Sequence, residues 1–350
     1  MSTVLGQYGE PRARCVHIGL VNNMPDAALA RTERQFRDLL TRAAPSVSVR
    51  FSLYSLPGIP RGEAGIRHLE TNSYETADTI ADSPLDACVV TGTEPRQSQL
   101  EDEPYWDAMT GLFDRLDRGR LPVIFSCLAA HAAVLHLDGL RRQRLAQKRF
   151  GVFAHVRASR HELTDGMKPV VHVAHSRCNE LPADALEQGG YQVLTLAPEA
   201  GADLFVRRGR ENWLFCQGHP EYDAEALGRE FQRDVRRFLK GERDTYPAVP
   251  QNYFGSAEVA ELLRFERRAR SARSEATMSE YPLVTGSQSA LGEVSPVTSV
   301  FDSWLQNIVR GNFVPDTQSN EFAGVAARRV QGLTPSARRR RLAQLAMLQG

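Results

Sequence analysis

The sequence predicts an α/β fold: a mostly parallel sheet with helices on both faces. Short β-branched apolar runs alternate with amphipathic stretches in the order βαβαβα, the pattern that parallel strands joined by crossover helices produce. Several of the apolar runs end on a glycine or a turn, as buried parallel strands do. A chain of 350 residues with 42% hydrophobic content can also bury a full core.

Residues 15–22 (CVHIGLVN) read as the first buried strand, followed by the turn-forming NNMPD. A helical pattern over 28–43 then places Leu29, Phe36, Leu39 and Leu40 on one face. Residues 47–56 alternate as a second strand, and 85–92 (LDACVVTG) form a short strand ending on glycine. Trp106 to Arg118 is amphipathic, 121–127 (LPVIFSC) is a further buried strand, and 128–139 is a small-residue helix capped at Gly139. Later strands are expected at 170–176, 191–197, 204–209 and 212–218, the last running straight into a helix over 219–241.

The economical division is an α/β domain over 1–254, then a charged helix and Ser/Gly/Pro-rich insertion over 255–298. A helix over 299–313 returns to the domain, and 314–350 is a basic tail with Arg328, Arg329 and Arg338 to Arg341. A solvated helix face is the simple reading of that tail, with an acidic partner as the alternative.

A net charge of +1 supplies no global field for nucleic acid or membrane, so neither partner is expected. No apolar run reaches about 18 residues and the first residues lack a signal-like stretch, so a soluble cytoplasmic protein is expected. Five scattered cysteines without a CxxC pair read as free thiols, against a disulfide framework and a zinc site.

Cys127 stands where an apolar strand meets a helix of small residues, so its thiol would emerge at the carboxyl end of the sheet beside a helix N-terminus. Ala129 and Ala130 leave room around it, and the helix start offers N–H groups to an oxyanion. The segment GHPEYD (218–223) occupies the same kind of junction, which brings His219 and Glu221 to the same rim. A histidine there can take the thiol proton and later activate a hydroxyl, with the carboxylate holding its tautomer. Taken alone, Glu221 would serve equally as a first-turn acid offsetting a helix dipole. The segment HSR (175–177) ends another strand, and Lys148 and Arg233 add cations. His155, His161 and His172 have no carboxylate or cysteine at ligand spacing, so no metal is assigned.

With these residues in view, the sequence resembles the homoserine O-succinyltransferase family, whose fold is like that of class I glutamine amidotransferases and is flavodoxin-like. The resemblance runs from about Val16 to Phe254 and resumes over 301–309. It rests on NNMPD with TERQF, VVTGTEP with PYW, FSC, KRFGVF, AHSR, GHPEYDAEAL with EFQRDV, and VPQNYF. It implies that Cys127 carries the acyl group as a thioester, with His219 as base and Glu221 as its partner. It also implies substrate binding by Lys148, Ser176 and Arg233, the last a bidentate grip for an α-carboxylate. The substrates implied are small molecules, a hydroxy amino acid (homoserine, or a relative such as serine) and acyl-CoA as co-substrate, with no bound cofactor. The resemblance leaves a homodimer open.

The sequence also departs from the family pattern. The lysines that usually follow MP are replaced by Asp26 and Ala27, with two extra residues before TERQF. Leu128 stands where an aromatic residue is usual, and TGTE replaces TGAP. The position associated with acyl choice aligns with Arg96, a cation suited to the free carboxylate of a succinyl group, although acetyl remains open as the donor. The usual amino-terminal extension is short. Two other readings stand beside transfer: a glutamine amidotransferase-like hydrolase using the same triad, and a non-catalytic ligand-binding relative. FSCLA lacks the glycine-flanked elbow expected of the former.

Overall fold

The structure, a computed structural model, describes residues 15–286 and 297–311. These residues fall within one compact unit. The expected basic tail from 314 and the stretch 287–296 lie outside the described residues.

The chain opens with β1 (Cys15–Val21), α1 (Leu29–Ala43), β2 (Ser48–Ser55), α2 (Glu63–Thr71) and the short edge strand β3 (Glu75–Thr76). It continues through β4 (Ala87–Val90), α3 (Trp106–Arg118), β5 (Val123–Ser126) and α4 (Leu128–Asp138). Next come β6 (Gln143–Arg157), β7 (Val170–Glu180), α5 (Ala183–Gln188), β8 (Tyr191–Val193), β9 (Thr195–Ala197) and β10 (Gly201–Ala202). The described chain closes with β11 (Leu204–Arg207), β12 (Arg210–Cys216), α6 (Ala226–Leu239), α7 (Ser256–Ser271) and α8 (Thr298–Arg310).

The main sheet has eight strands in the order β3-β2-β1-β4-β5-β12-β11-β8. Its five principal parallel strands, β2-β1-β4-β5-β12, follow the 2-1-3-4-5 order of flavodoxin-like sheets. The expected α/β sheet is therefore observed. In such sheets ligands bind outside the carboxyl ends of the strands, where the order reverses, here between β1 and β4.

Successive residues of β4 and β5 face opposite sides of the sheet. Cys88, Val90, Val123 and Phe125 join Met109, Leu112 and Phe113 of α3 and the alanines of α4 in one core. Phe125, Phe215 and Phe205 stack across three neighbouring strands, with centroids 5.0 and 4.9 Å apart. On the opposite face α8 packs against α1 and β1, and Trp304 donates its indole N–H to the Asn212 carbonyl at 3.2 Å.

Not every expected strand joins this sheet. β7, β6, β9 and β10 form a separate four-stranded antiparallel sheet. The expected strand 191–197 is divided between the two sheets: β8 pairs with β11, and β9 pairs with β6. Apolar alternation marks these segments as strands but carries no information about which partner they find. β11 and β12 are antiparallel, so the last turn of the main sheet departs from the βαβ rule.

The second sheet is tied to the rest by two of the sequence landmarks. Gly151 in KRFGVF (φ 150°) lies against Gln251 of VPQNYF so closely that a Cβ would meet the Gln251 carbonyl oxygen. Gln251 in turn donates to the Phe150 carbonyl at 2.9 Å. Tyr253 donates to the Ala224 carbonyl at 2.7 Å and is buried with Phe231 and Val235 of α6. Leu262, Phe265 and Ala269 of α7 cover the same cluster.

Below the sheet rim, His131 of α4 is buried and shares a 3.0 Å hydrogen bond with Gln217. Burial, reinforced by the charges of Arg177 and Arg142, pushes its pKa down to about 3. The unfolded chain binds this proton below about pH 6.5 and the folded chain does not, so the contribution is whole above that pH and falls away as pH drops toward 3. Urea titrations should show wild type losing up to about 1.4 kcal/mol per pH unit from this group over that window. His131→Gln should flatten the difference between pH 7.5 and pH 5, and an unchanged difference would refute this assignment.

Candidate active site

The hinge of the site is Cys127, the residue between β5 and α4. It adopts φ 51° and ψ −112°, a left-handed backbone that a side chain other than glycine takes at a cost of about 1–3 kcal/mol. Its N–H donates to the Cys216 carbonyl at 2.7 Å and its carbonyl accepts from His131 N–H at 3.3 Å, so neighbours on both sides hold the turn. The thiol is partly exposed at the helix N-terminus, whereas Cys88 and Cys216 are buried and burial raises their pKa. A Cβ at Gly92 would lie 3.0 Å from the Leu128 nitrogen, so glycine there keeps the first amide of α4 approachable.

His219 leaves the end of the adjacent strand β12. Its N–H donates to the Ala174 carbonyl at 2.8 Å, and Nδ1 lies 2.8 Å from Glu221 Oε1. With Nδ1 engaged by the carboxylate, Nε2 is the nitrogen left for Cys127, whose charge acts on the imidazole. Burial alone would lower the His219 pKa. The charges of Cys127 and Glu221 and the hydrogen bond to Glu221 outweigh it, and the imidazole is held well above its usual value. His219 is therefore favoured as imidazolium. Tyr222 stacks on the imidazole with centroids 4.2 Å apart.

The expected helix over 219–241 begins only at Ala226. Glu221 thus lies in the loop before the helix, and the dipole-offsetting role open to it on sequence grounds is excluded by its place. It is buried against His219, and its Oε2 has no hydrogen-bond partner among the described residues.

Lys148, Ser176 and Arg233 come together around a residue that sequence reasoning missed, Glu230. Lys148 Nζ and the Ser176 hydroxyl donate to Glu230 Oε1 at 2.7 and 2.5 Å, and the Tyr222 hydroxyl donates to Oε2 at 3.3 Å. Arg233 Nη2 is 3.6 Å from Glu230 and 2.8 Å from Asp234, with half its side chain exposed. Burial would raise the Glu230 pKa, but the Lys148 and Arg233 cations and the two hydrogen bonds hold it below the usual carboxylate value. EFQRDV contains this glutamate, but only the crossing of β6 and β7 over α6 reveals what it binds.

Arg96 lies elsewhere. The loop after β4 and the loop after β1 enclose a cavity of about 460 Å³ lined by Pro25, Thr93, Glu94, Arg96, Tyr105 and Arg237, among others, at the strand-order reversal. Arg96 and Gln97 donate their N–H groups to Glu103 Oε1 at 2.6 and 2.7 Å. A cation that sequence reasoning missed, Arg142, is half-buried within electrostatic reach of Tyr105, Cys127 and Glu103. Asp26 is engaged by the segment after β2: its Oδ2 accepts Gly62 N–H at 2.8 Å, and Oδ1 is 3.3 Å from Arg61 Nη1. Arg61, buried in the first loop, donates to the Met24 and Asn22 carbonyls, so this loop carries a cation brought from 61.

The family model for homoserine O-succinyltransferase matches residues 8–274. A homoserine O-succinyltransferase of Methylorubrum extorquens is 48% identical over 79% of this chain and 81% of its own. That of Rhodopseudomonas palustris is 45% identical over 84% of this chain and 88% of its own, and that of Bradyrhizobium japonicum 41% over 87% and 94%. Among solved structures, a glutamine amidotransferase of Thermotoga maritima is similar with a TM-score of 0.46 at 13% identity, covering 84% of this chain and 98% of its own. Another, from Methylobacillus flagellatus, has a TM-score of 0.47 at 12% identity, covering 84% and 95%. On the family match and on relatives this similar over most of both chains, the protein is a member of the homoserine O-succinyltransferase family, an acyltransferase family.

Proposed function

We propose that this protein transfers a succinyl group from succinyl-CoA to the hydroxyl of homoserine through a thioester on Cys127. The observation that carries the reading is the pairing of a nucleophile held at positive φ with a buried His219–Glu221 couple, beside an independently built group of Lys148, Ser176 and Arg233 around Glu230. The relatives' names supply the acceptor and the acyl group.

In the first half-reaction the Cys127 thiolate adds to the thioester carbonyl of the donor. The Leu128 N–H at the start of α4 faces the developing oxyanion, the C–S bond to CoA breaks, and His219 returns its proton to the departing CoA thiolate. In the second, His219 Nε2 takes the proton of the acceptor hydroxyl as its oxygen attacks the acyl-cysteine. The bond to Cys127 Sγ then breaks, and thiolate and imidazolium are restored. Pairing of Arg233 with the acceptor's α-carboxylate is supported by its half-exposed guanidinium at the edge of the Glu230 group. Pairing of Arg96 with the free carboxylate of the succinyl group is supported by its cationic side chain lining the cavity between the loops after β1 and β4.

Intact mass spectrometry with succinyl-CoA should show one succinyl group added, lost in Cys127→Ala and discharged by homoserine. No adduct on the wild type, or discharge by water as fast as with homoserine, would reject transfer. Arg233→Ala should raise the KM for homoserine by at least about 10-fold, the worth of a charge-assisted pair, while the thioester still forms at the wild-type rate. A slowed acylation step would contradict that placement. Arg96→Gln should weaken turnover with succinyl-CoA by about 10-fold and leave that with acetyl-CoA unchanged. A wild-type preference for acetyl-CoA would overturn the choice of donor.

A further inference from the structure

Behind His219 lies a buried polar cluster drawn from three distant segments: His155 on β6, His175 on β7 and Asp203 just before β11, all buried. The two imidazoles stack with centroids 5.0 Å apart, and their Nε2 atoms are 2.9 Å apart. Arg177 Nε donates to His175 Nδ1 at 3.3 Å. A guanidinium can only donate, so His175 Nδ1 is an acceptor and its proton sits on Nε2. His155 Nε2 must then accept that proton, which leaves His155 as the Nδ1–H tautomer. The cluster thus has one hydrogen-bond direction, from Arg177 through His175 to His155. Both imidazoles are kept neutral, chiefly by burial. The charge of Asp203 acts on His155 in the opposite sense and is the anion at this end of the chain.

Asp203 faces the other way as well. Its backbone carbonyl accepts Gln217 N–H at 3.1 Å, and its side-chain Oδ1 accepts Gly218 N–H at 2.7 Å. The next amide, that of His219, donates to Ala174, the neighbour of His175. Three consecutive amides leading into the catalytic imidazole therefore end on Asp203 and on the strand that carries His175. Gly218 has no room for a side chain at this joint: a Cβ would lie 2.9 Å from both Asp203 Oδ1 and the Ala174 oxygen.

We propose that Asp203, lying beside the buried His155–His175 pair, is a positioning residue that sets the His219 imidazole against Cys127. It touches no substrate and acts through the 217–219 backbone. The inference rests on the Cys127–His219 reading above, so its test must not depend on the acyl donor. Alkylation of Cys127 by iodoacetamide at pH 7, followed by peptide mass spectrometry, reports the thiol and its imidazole partner alone.

Asp203→Ala should slow alkylation of Cys127 and succinyl transfer together, by about 10- to 100-fold for a displacement on the order of 1 Å, with KM values within about 2-fold. Asp203→Asn keeps an oxygen for Gly218 N–H and should restore most of both rates. His155→Gln, which can still accept from His175, should stay close to wild type, whereas His155→Phe should resemble Asp203→Ala. These two variants decide the matter if Asp203→Ala does not fold. Wild-type alkylation in Asp203→Ala, or equal rates in the two His155 variants, would overturn the proposal. So would one equivalent of a transition metal in purified wild type that Asp203→Ala lacks, since the cluster would then be a metal site. A normal alkylation pattern without a succinyl adduct would instead count against the proposed substrates and leave the positioning role intact.

Discussion

Ser126 at the end of β5 lies opposite Cys216 at the end of β12, and the Cys127 amide closes this pairing by donating to the Cys216 carbonyl at 2.7 Å. The chain leaves both strands at the same level of the sheet, one turning sharply into α4 and the other entering a loop before α6. A slip of one residue in this register would send alternate side chains to the wrong face and separate the thiol from the imidazole. The aromatic stack of Phe125, Phe215 and Phe205 crosses the same strands and resists such a slip by packing.

Upon that register the molecule builds two polar assemblies of opposite character. In the group of Cys127, His219 and Glu221, the buried His219 imidazole is held as a cation because the charges beside it outweigh burial. His131, His155 and His175 lie deeper, with burial as the leading cause of their lowered pKa values, and remain neutral. The neutral layer supplies hydrogen-bond partners without adding a cation next to the one His219 carries. The Glu230 group repeats the first arrangement from the side of α6, binding Lys148 from β6 and Ser176 from β7 to one carboxylate.

Much of this was legible in the sequence because it depends on local order. Strand ends followed by helices place Cys127 and His219 on one rim in any parallel α/β sheet, and the α4 cap at Gly139 follows from its left-handed φ of 71°. Glu221 was legible as the partner of His219, and the structure adds only that the following helix starts later, at Ala226. Two features were not legible. Glu230 looked like one more charge on an amphipathic helix. The cluster of His155, His175 and Asp203 has no spacing to detect, since its members meet only when two sheets pack.

The sequence by itself determined the parallel α/β class, the shared rim of Cys127 and His219, and the family, because alternation, turn chemistry and motif spacing are properties of neighbouring residues. Only the tertiary structure decided which strands leave the main sheet and how Lys148, Ser176 and Arg233 converge. It alone showed that Arg61 supplies a cation to the first loop where Asp26 stands. Each of these depends on contacts between residues tens of positions apart, whose partners are chosen by burial and register and leave no periodic trace along the chain.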